Sequence, residues 1–502
     1  MSLRAFTLAD LVERNAALHG ARTAFVCGDA VVTHAEHASR VARLAAGLAG
    51  AGVTSGERVV VLAPNSLAFV DLFGAAARLG AILVPVNARL SSEEVAHVIA
   101  DVAPRVVVIA PALRALVPDA TVERAHRFTL GPAEEGWTPF ETLYADASAT
   151  PRAPVPEDAG LLLVHTAAVG GKPRGALLTH RGLLAASVQA LACWRLTPSD
   201  VNVGVLPLFH LAGIGLMLAA QHAGGATLVL SRFDPDSLAR DIDRYDGSLI
   251  GTFPPMLAAL VEAADRVGAT LDSMRVATGI DSPETIARFQ RTCPDATFWA
   301  AYGQTETSGM VTMSPFAERP GSAGRPTPLN AVAVVDDEDR PVPDGTAGEI
   351  VVRGPMVFEG YWNLPADNAF TFRNGWHHTG DLGRFDADGY LWYQGRSPSK
   401  ELIKPGGENV YPAEVERTLC EHPAIAAAVV FGVPDPQWGE AVEAVCLLRP
   451  GSAPSPEEVI EFVGSRIARY KRPRRVRFVD ELPRTEAGAV DRAAVKSAHG
   501  AI

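Results

Sequence analysis

The chain has 502 residues, of which 48% are hydrophobic and 20% charged, and a formal net charge of −12. This length exceeds what one core supports and predicts at least two domains; the composition excludes extensive disorder and fibrous repeats. The acidic balance excludes duplex nucleic acid as a partner, which needs a broad basic surface, and five widely spaced cysteines exclude a disulfide framework or a zinc site.

From Met1 to Arg14 no basic segment precedes a long apolar run, so no secretory signal is expected. Nowhere does the chain reach the roughly 18–20 uninterrupted apolar residues of a membrane span, and a cytoplasmic location follows as an expectation. Val41 to Gly52 reads as an Ala-rich amphipathic helix. The runs Arg58–Ala63, Ala81–Pro85 and Arg105–Ile109 are short, β-rich and separated by helical stretches, the pattern of parallel strands covered by helices. Leu161–His165 is a further apolar run that leads into a Gly-rich loop, and a helix is predicted from His180; strand, loop and helix in that order suit a phosphate-handling turn.

The loop reads His165-Thr166-Ala167-Ala168-Val169-Gly170-Gly171-Lys172-Pro173-Arg174-Gly175. Gly170 and Gly171 let backbone N–H groups approach anionic oxygens, while Lys172 and Arg174 supply positive charge. By itself the same loop reads equally as a basic surface turn.

Between Val332 and Tyr393 short strands alternate with Asp/Gly/Pro turns, which predicts an antiparallel barrel or sheet. After Gly395-Arg396 a compact αβ region begins, with strand-like runs at Ala426–Gly432, Glu440–Leu448 and Val476–Val479, and a domain boundary is expected there.

Four further motifs follow the loop: Tyr302-Gly303-Gln304-Thr305-Glu306, Gly375-Trp376-His377-His378-Thr379-Gly380-Asp381, Gly395-Arg396, and Lys404-Pro405-Gly406-Gly407-Glu408-Asn409-Val410-Tyr411-Pro412. In this order and at these separations they resemble the AMP-forming acyl-CoA synthetase family of adenylate-forming enzymes, over nearly the whole chain. The resemblance implies an α/β fold. A large N-terminal domain, residues 1–395, would hold parallel αβ subdomains and a small β-barrel, followed by a mobile, compact α+β C-terminal domain, residues 396–502. It implies ATP or AMP, Mg2+ and CoA as cofactors, a small carboxylic acid as substrate, and a homodimer as candidate assembly.

The residue types suit those roles. Tyr302 offers a flat ring for adenine; Thr305 offers a hydroxyl for phosphate and Glu306 a hard carboxylate for Mg2+, with Thr166 beside it. Asp381 can accept from two ribose hydroxyls, and Arg396 is its forked partner for ribose or phosphate oxygens. By resemblance, His210 is the gate beside the acyl carboxylate, Gly406 and Gly407 line the path of the pantetheine arm with Lys404 alongside, and Lys400 stands near the pivot. Ile280, Asp281, Gly303 and Gln304 line the acyl and nucleotide region. Ile280 replaces the small residue of a usual Gly-Gly-Ala-Pro segment, and favours a short or flat aromatic acid over a long acyl chain. The alternative reading of Ile280 is packing in the core.

Two departures affect adenylation. The first loop keeps one hydroxyl, Thr166, where the family has several, and each missing charge-assisted bond is worth about 1.5–3 kcal/mol. The motif Leu482-Pro483-Arg484-Thr485-Glu486-Ala487-Gly488-Ala489 carries Ala489 where the family has its catalytic lysine. Lysine occurs only at positions 172, 400, 404, 471 and 496, and a general drift toward arginine would have left arginine there. The segment from Gly395 to Leu402 is also about two residues longer than usual. A weakened adenylation step with retained thioester formation is expected, with Lys496, Lys172 or Arg174 as substitute cations. Two other classes stay open: a non-catalytic adenylate binder, and an adenylate-forming enzyme that does not use CoA. The basic run from Arg469 to Arg477 reads either as a solvated face or as a site for the CoA 3′-phosphate.

Overall fold

A computed structural model describes residues 5–146, 154–166, 173–396, 402–484 and 490–500. The chain divides into two compact units: Met1–Ala88 with Ile99–His165 and Gly175–Gln394, and Arg89–Val98 with Thr166–Arg174 and Gly395–Ile502.

The first unit is built on two large sheets. In the nine-stranded sheet, Thr297–Gln304, Val276–Gly279, Leu249–Thr252, Val201–Gly204, Ala226–Val229 and Thr23–Cys27 lie side by side and parallel. Antiparallel strands complete its edges. The eight-stranded sheet has a parallel centre of Gly160–Thr166, Ile82–Pro85, Arg58–Leu62 and Val106–Ile109. These strands are buried along nearly their whole length, as expected of parallel strands with helices on both faces. The helix predicted at Val41–Gly52 is observed as His34–Gly50, starting earlier and ending two residues sooner than expected; it opens with Thr33 accepting from Glu36 N and the Glu36 carboxylate accepting from Thr33 N at 2.8 Å.

The expected order after Leu161–His165 needs a correction. A strand, Arg174–Thr179, stands between the loop and the helix His180–Trp194. The loop therefore does not open a helix N-terminus; Thr179 occupies that end and its hydroxyl accepts from Gly182 N at 3.1 Å. The reason is β-pairing: Ala176 and Leu177 pair with Tyr361 and Gly360 of a short edge strand remote in sequence.

Between Val332 and Tyr393 the chain forms a four-stranded sheet, Ala331–Val335, Gly348–Arg353, His377–Phe385 and Leu391–Arg396, whose first two pairings are antiparallel. The second unit contains a three-stranded sheet, Ile425–Asp435, Gly439–Leu448 and Arg475–Val479, with the helices Pro412–Cys420, Pro456–Gly464 and Arg492–His499. Its core includes Val415, Leu419, Val430, Val442 and Val459. Among the described residues no helix is long and apolar enough to cross a membrane.

A buried ionic network braces the first unit. The Asp71 carboxylate accepts from Arg40 Nε at 2.8 Å and from the Tyr144 hydroxyl at 2.6 Å, and lies 3.2 Å from His37 Nδ1. Burial alone would raise the Asp71 carboxyl; His37, then Arg40, outweigh it and hold the group below the usual carboxylate range. A depressed folded value means that this stabilisation is present above the ordinary carboxylate range and fades as pH falls through the folded value. Asp71→Ala, which strands Arg40 and Tyr144, is expected to cost about 3–5 kcal/mol in urea unfolding at pH 7, and less than that in acid.

Candidate functional site

Four of the parallel strands deliver the site residues at their carboxyl ends. Val201–Gly204 leads to His210, Leu249–Thr252 to Phe253, Val276–Gly279 to Ile280 and Asp281, and Thr297–Gln304 contains Tyr302, Gly303 and Gln304 and runs into Glu306. In open α/β sheets ligands bind outside the carboxyl ends of the strands, because there the connecting loops diverge and leave a crevice.

The densest cluster joins this edge to the four-stranded sheet. Asp381, 2% exposed, accepts the Tyr302 hydroxyl at 2.7 Å on Oδ2. Gln304 Nε2 donates to the same oxygen and to the Thr379 carbonyl, the latter at 3.1 Å. His377 Nε2 lies 3.4 Å from Gln304 Oε1, at the other end of the amide. The Tyr302 ring stacks with Tyr393, centroids 6.0 Å apart and planes inclined by 29°. Glu306, 9% exposed, sits in a tight turn after the strand and accepts the Tyr361 hydroxyl at 2.9 Å. Such a carboxylate is a hard oxygen donor of the kind Mg2+ takes. Gly303 allows the turn to form: a Cβ there would stand 2.1 Å from the Gly309 carbonyl oxygen on the paired strand.

Tyr302, Gln304 and Asp381 are thus in direct contact, and Gly303 is the residue that lets the strand and its partner close up. His210, Thr305, Ile280 and Asp281 share the carboxyl-end side of the sheet without a bond to that cluster among the described contacts. His210 is the residue before the helix Leu211–Ala223, its ring 5.1 Å from that of Phe209. Ile280 is 53% exposed, so the core-packing reading fails and an apolar side chain stands open at the strand end. Burial raises the Asp281 carboxyl, against the lowering effect of Ser282 N, which donates to it at 2.8 Å.

In the second unit Arg396 donates to the Tyr411 hydroxyl at 2.7 Å. The Lys404 N–H donates to Glu440 at 2.6 Å, and Gly406 and Gly407 both adopt positive φ. The Thr166 hydroxyl donates to the Arg174 carbonyl at 3.5 Å. Gly170, Gly171, Lys172, Lys400 and Ala489 lie outside the described residues.

The basic run from Arg469 to Arg477 is not a continuous cationic face. Lys471 is 1% exposed between Glu94, at 2.5 Å, and Glu414, at 2.8 Å. Arg469 and Arg472 face Glu461, Arg474 faces Asp435, and Arg475 and Arg477 face Glu443, all within 3.9 Å. The solvated-face reading is the one these pairings favour.

Sequence reasoning missed Tyr361, Tyr393 and His377 as supports of Glu306, Tyr302 and Gln304. Each reads as an ordinary strand residue until the sheets pack. It also missed the cluster of Asp339, Glu349 and His378, whose ligand atoms lie within 4.8 Å of one another. Arg373 Nε lies 3.0 Å from Asp339 and its Nη2 3.0 Å from Glu349, and Asn374 donates to Asp339 at 2.7 Å, so the cluster is an ion-pair network with its own cation.

Comparison with known proteins agrees with this geometry. The family model described as AMP-binding enzyme matches residues 12–362, and the one described as AMP-binding enzyme C-terminal domain matches residues 414–489. The chain is 35% identical over 493 residues to a feruloyl-CoA synthase of Amycolatopsis sp., covering 97% of this chain and 98% of that one. It is 36% identical over 496 residues to an indoleacetate–CoA ligase of Aromatoleum aromaticum, covering 96% of each. A structure of o-succinylbenzoate CoA synthetase from Bacillus subtilis, a double mutant bound with its product analogue, superposes with a TM-score of 0.86 at 27% identity, covering 97% of this chain and 98% of that one. The chain belongs to the AMP-binding enzyme family, and within it to the AMP-forming acyl-CoA synthetases.

Gly303→Ala pushes a methyl group into the Gly309 carbonyl and is expected to cost about 1–3 kcal/mol in local strain. AMP affinity should fall roughly tenfold or more, read by calorimetric titration of wild type and variant; unchanged affinity would remove the turn from the nucleotide site.

Proposed function

We propose that the chain joins a small or aromatic carboxylic acid to CoA through an acyl-adenylate, in the cytoplasm, and that its adenylation half-reaction is slow. The observation that carries the reading is the Tyr302–Gln304–Asp381 cluster with Glu306 one turn away, at the carboxyl ends of parallel strands. Asp381 receives the ribose hydroxyls of AMP, Tyr302 and the neighbouring backbone receive adenine, and Thr305 a phosphate oxygen. Mg2+, when bound, neutralises charge on the phosphates; Glu306 is the residue that would hold it, with Thr166 as the hydroxyl ligand the family resemblance assigns.

In the same reading His210 gates the acid, Gly170, Gly171, Lys172 and Arg174 contact phosphate, and Arg396, Lys404, Gly406 and Gly407 serve ribose and the pantetheine arm. Residues 1–395 form the adenylate- and acid-binding domain, and residues 396–502 the mobile one. The exposed Ile280 supports a flat or short acid, as do relatives named for feruloyl and indoleacetate substrates. Benzoate should therefore turn over faster than palmitate, with butyrate as the short aliphatic control; a palmitate preference contradicts the pocket assignment.

Ala489 removes the cation that the family places on the developing charge between carboxylate and α-phosphate. Loss of one such electrostatic contact commonly slows a step by about 10²–10³-fold. Ala489→Lys is expected to raise ATP–pyrophosphate exchange by about that factor, while thioester formation from synthetic acyl-AMP and CoA stays unchanged. Equal, fast exchange in both proteins would refute the slow first step. Acyl-AMP that accumulates without CoA dependence, or AMP binding with no product, would refute the ligase reading itself.

A further inference from the structure

The strand that carries Asp381 is irregular where it passes Ile350. Glu349 pairs with Leu382 and Val351 with His378, so that three residues, Thr379, Gly380 and Asp381, stand opposite one. Such a bulge takes backbone groups out of the ladder and re-aims the side chains on it. It survives only if something else satisfies those groups.

The substitutes are side chains. The Thr379 hydroxyl donates to the Ile350 carbonyl at 2.6 Å and accepts from Asp381 N at 3.1 Å. Gly380, at φ +73°, points its N–H away from the ladder and donates to Glu349 Oε1 at 2.8 Å. The other carboxylate oxygen, Oε2, lies 2.8 Å from His378 Nδ1 and 3.0 Å from Arg373 Nη2. Arg373 is anchored in turn on Asp339. Glu349 is therefore clamped from one side by a cation and an imidazole, and from the other it holds the Thr379–Gly380 peptide, one residue before Asp381.

We infer that Glu349 is a positioning residue for nucleotide binding: by fixing the Gly380 N–H it sets the direction of the Asp381 carboxylate, and with it the reading of the ribose hydroxyls. The inference rests on the proposed ribose role of Asp381. Glu349 itself touches no substrate.

The test compares AMP with 2′-deoxy-AMP by isothermal titration calorimetry on full-length wild type, Asp381→Ala, Glu349→Ala and Glu349→Gln. Wild type should prefer AMP by about tenfold or more, the worth of one charge-assisted hydrogen bond. Asp381→Ala and Glu349→Ala should both bring the ratio toward one. Glu349→Gln, whose side-chain carbonyl still accepts from Gly380 N, should keep most of it. A role in stability alone would weaken both nucleotides together and leave the ratio intact. If Asp381→Ala collapses the preference and Glu349→Ala keeps it, the positioning role is overturned while the ribose reading stands. If wild type shows no preference, or Asp381→Ala retains it, the ribose reading falls and takes the inference with it. Should Glu349→Ala lose its melting transition, Glu349→Asp gives the same readout, because its carboxylate is drawn back by one methylene from Gly380 N while its charge remains.

Discussion

A carboxylate almost entirely removed from water, Asp381, is the constraint around which the first unit's site is arranged. Burying an ionised group without partners costs several kcal/mol or more; here Tyr302 and Gln304, from the carboxyl end of the parallel sheet, donate to the carboxylate, while the Asp381 N–H donates to the Thr379 hydroxyl on the bulged strand itself. Each donor is placed by backbone that could not otherwise adopt its path. Gly303 lets two strands approach closely, and Gly380 takes a left-handed turn that a side chain would resist. The site is thus a consequence of where two sheets meet, with a charge at the meeting point.

The parallel sheet contributes a second constraint, direction. Because neighbouring strands run the same way, their carboxyl ends emerge on one edge, and residues far apart in sequence, His210, Ile280 and Glu306, are delivered to the same side. That common edge suits a reaction in which a nucleotide and an acid must be held together before their bond forms. The exposed Ile280 and the nearly buried carboxylates Glu306 and Asp381 set an apolar and a polar group at these strand ends.

The chain resembles a feruloyl-CoA synthase and an indoleacetate–CoA ligase over nearly its whole length, and the sequence keeps the Tyr302–Glu306, Gly375–Asp381 and Lys404–Pro412 motifs. Its departures from the family pattern lie in the first loop, where Ala167–Gly170 carry no hydroxyl and only Thr166 keeps one, and at Ala489, where the usual lysine is absent. Lys471 is no replacement, since Glu94 and Glu414 already enclose it.

Much of this was legible from residue order alone. Apolar runs with β-branched residues marked Arg58–Ala63, Arg105–Ile109 and Ala426–Gly432, which fall on the strands Arg58–Leu62, Val106–Ile109 and Ile425–Asp435, because such signals act within a few residues. The motif residues Tyr302, Glu306 and Asp381 were also recognisable, through the order and spacing of their motifs and the family these resemble rather than singly. The strand Arg174–Thr179 was not, since its identity depends on pairing with Gly360–Tyr361. Nor were Tyr361, Tyr393, His377 and Glu349, whose importance lies wholly in what they touch. Sequence by itself determined the elements and the chemical groups, which are local properties; only tertiary structure decided which hydroxyl, amide or carboxylate would face which, because hydrogen bonds across 55, 79 or 31 positions exist only after the sheets have packed.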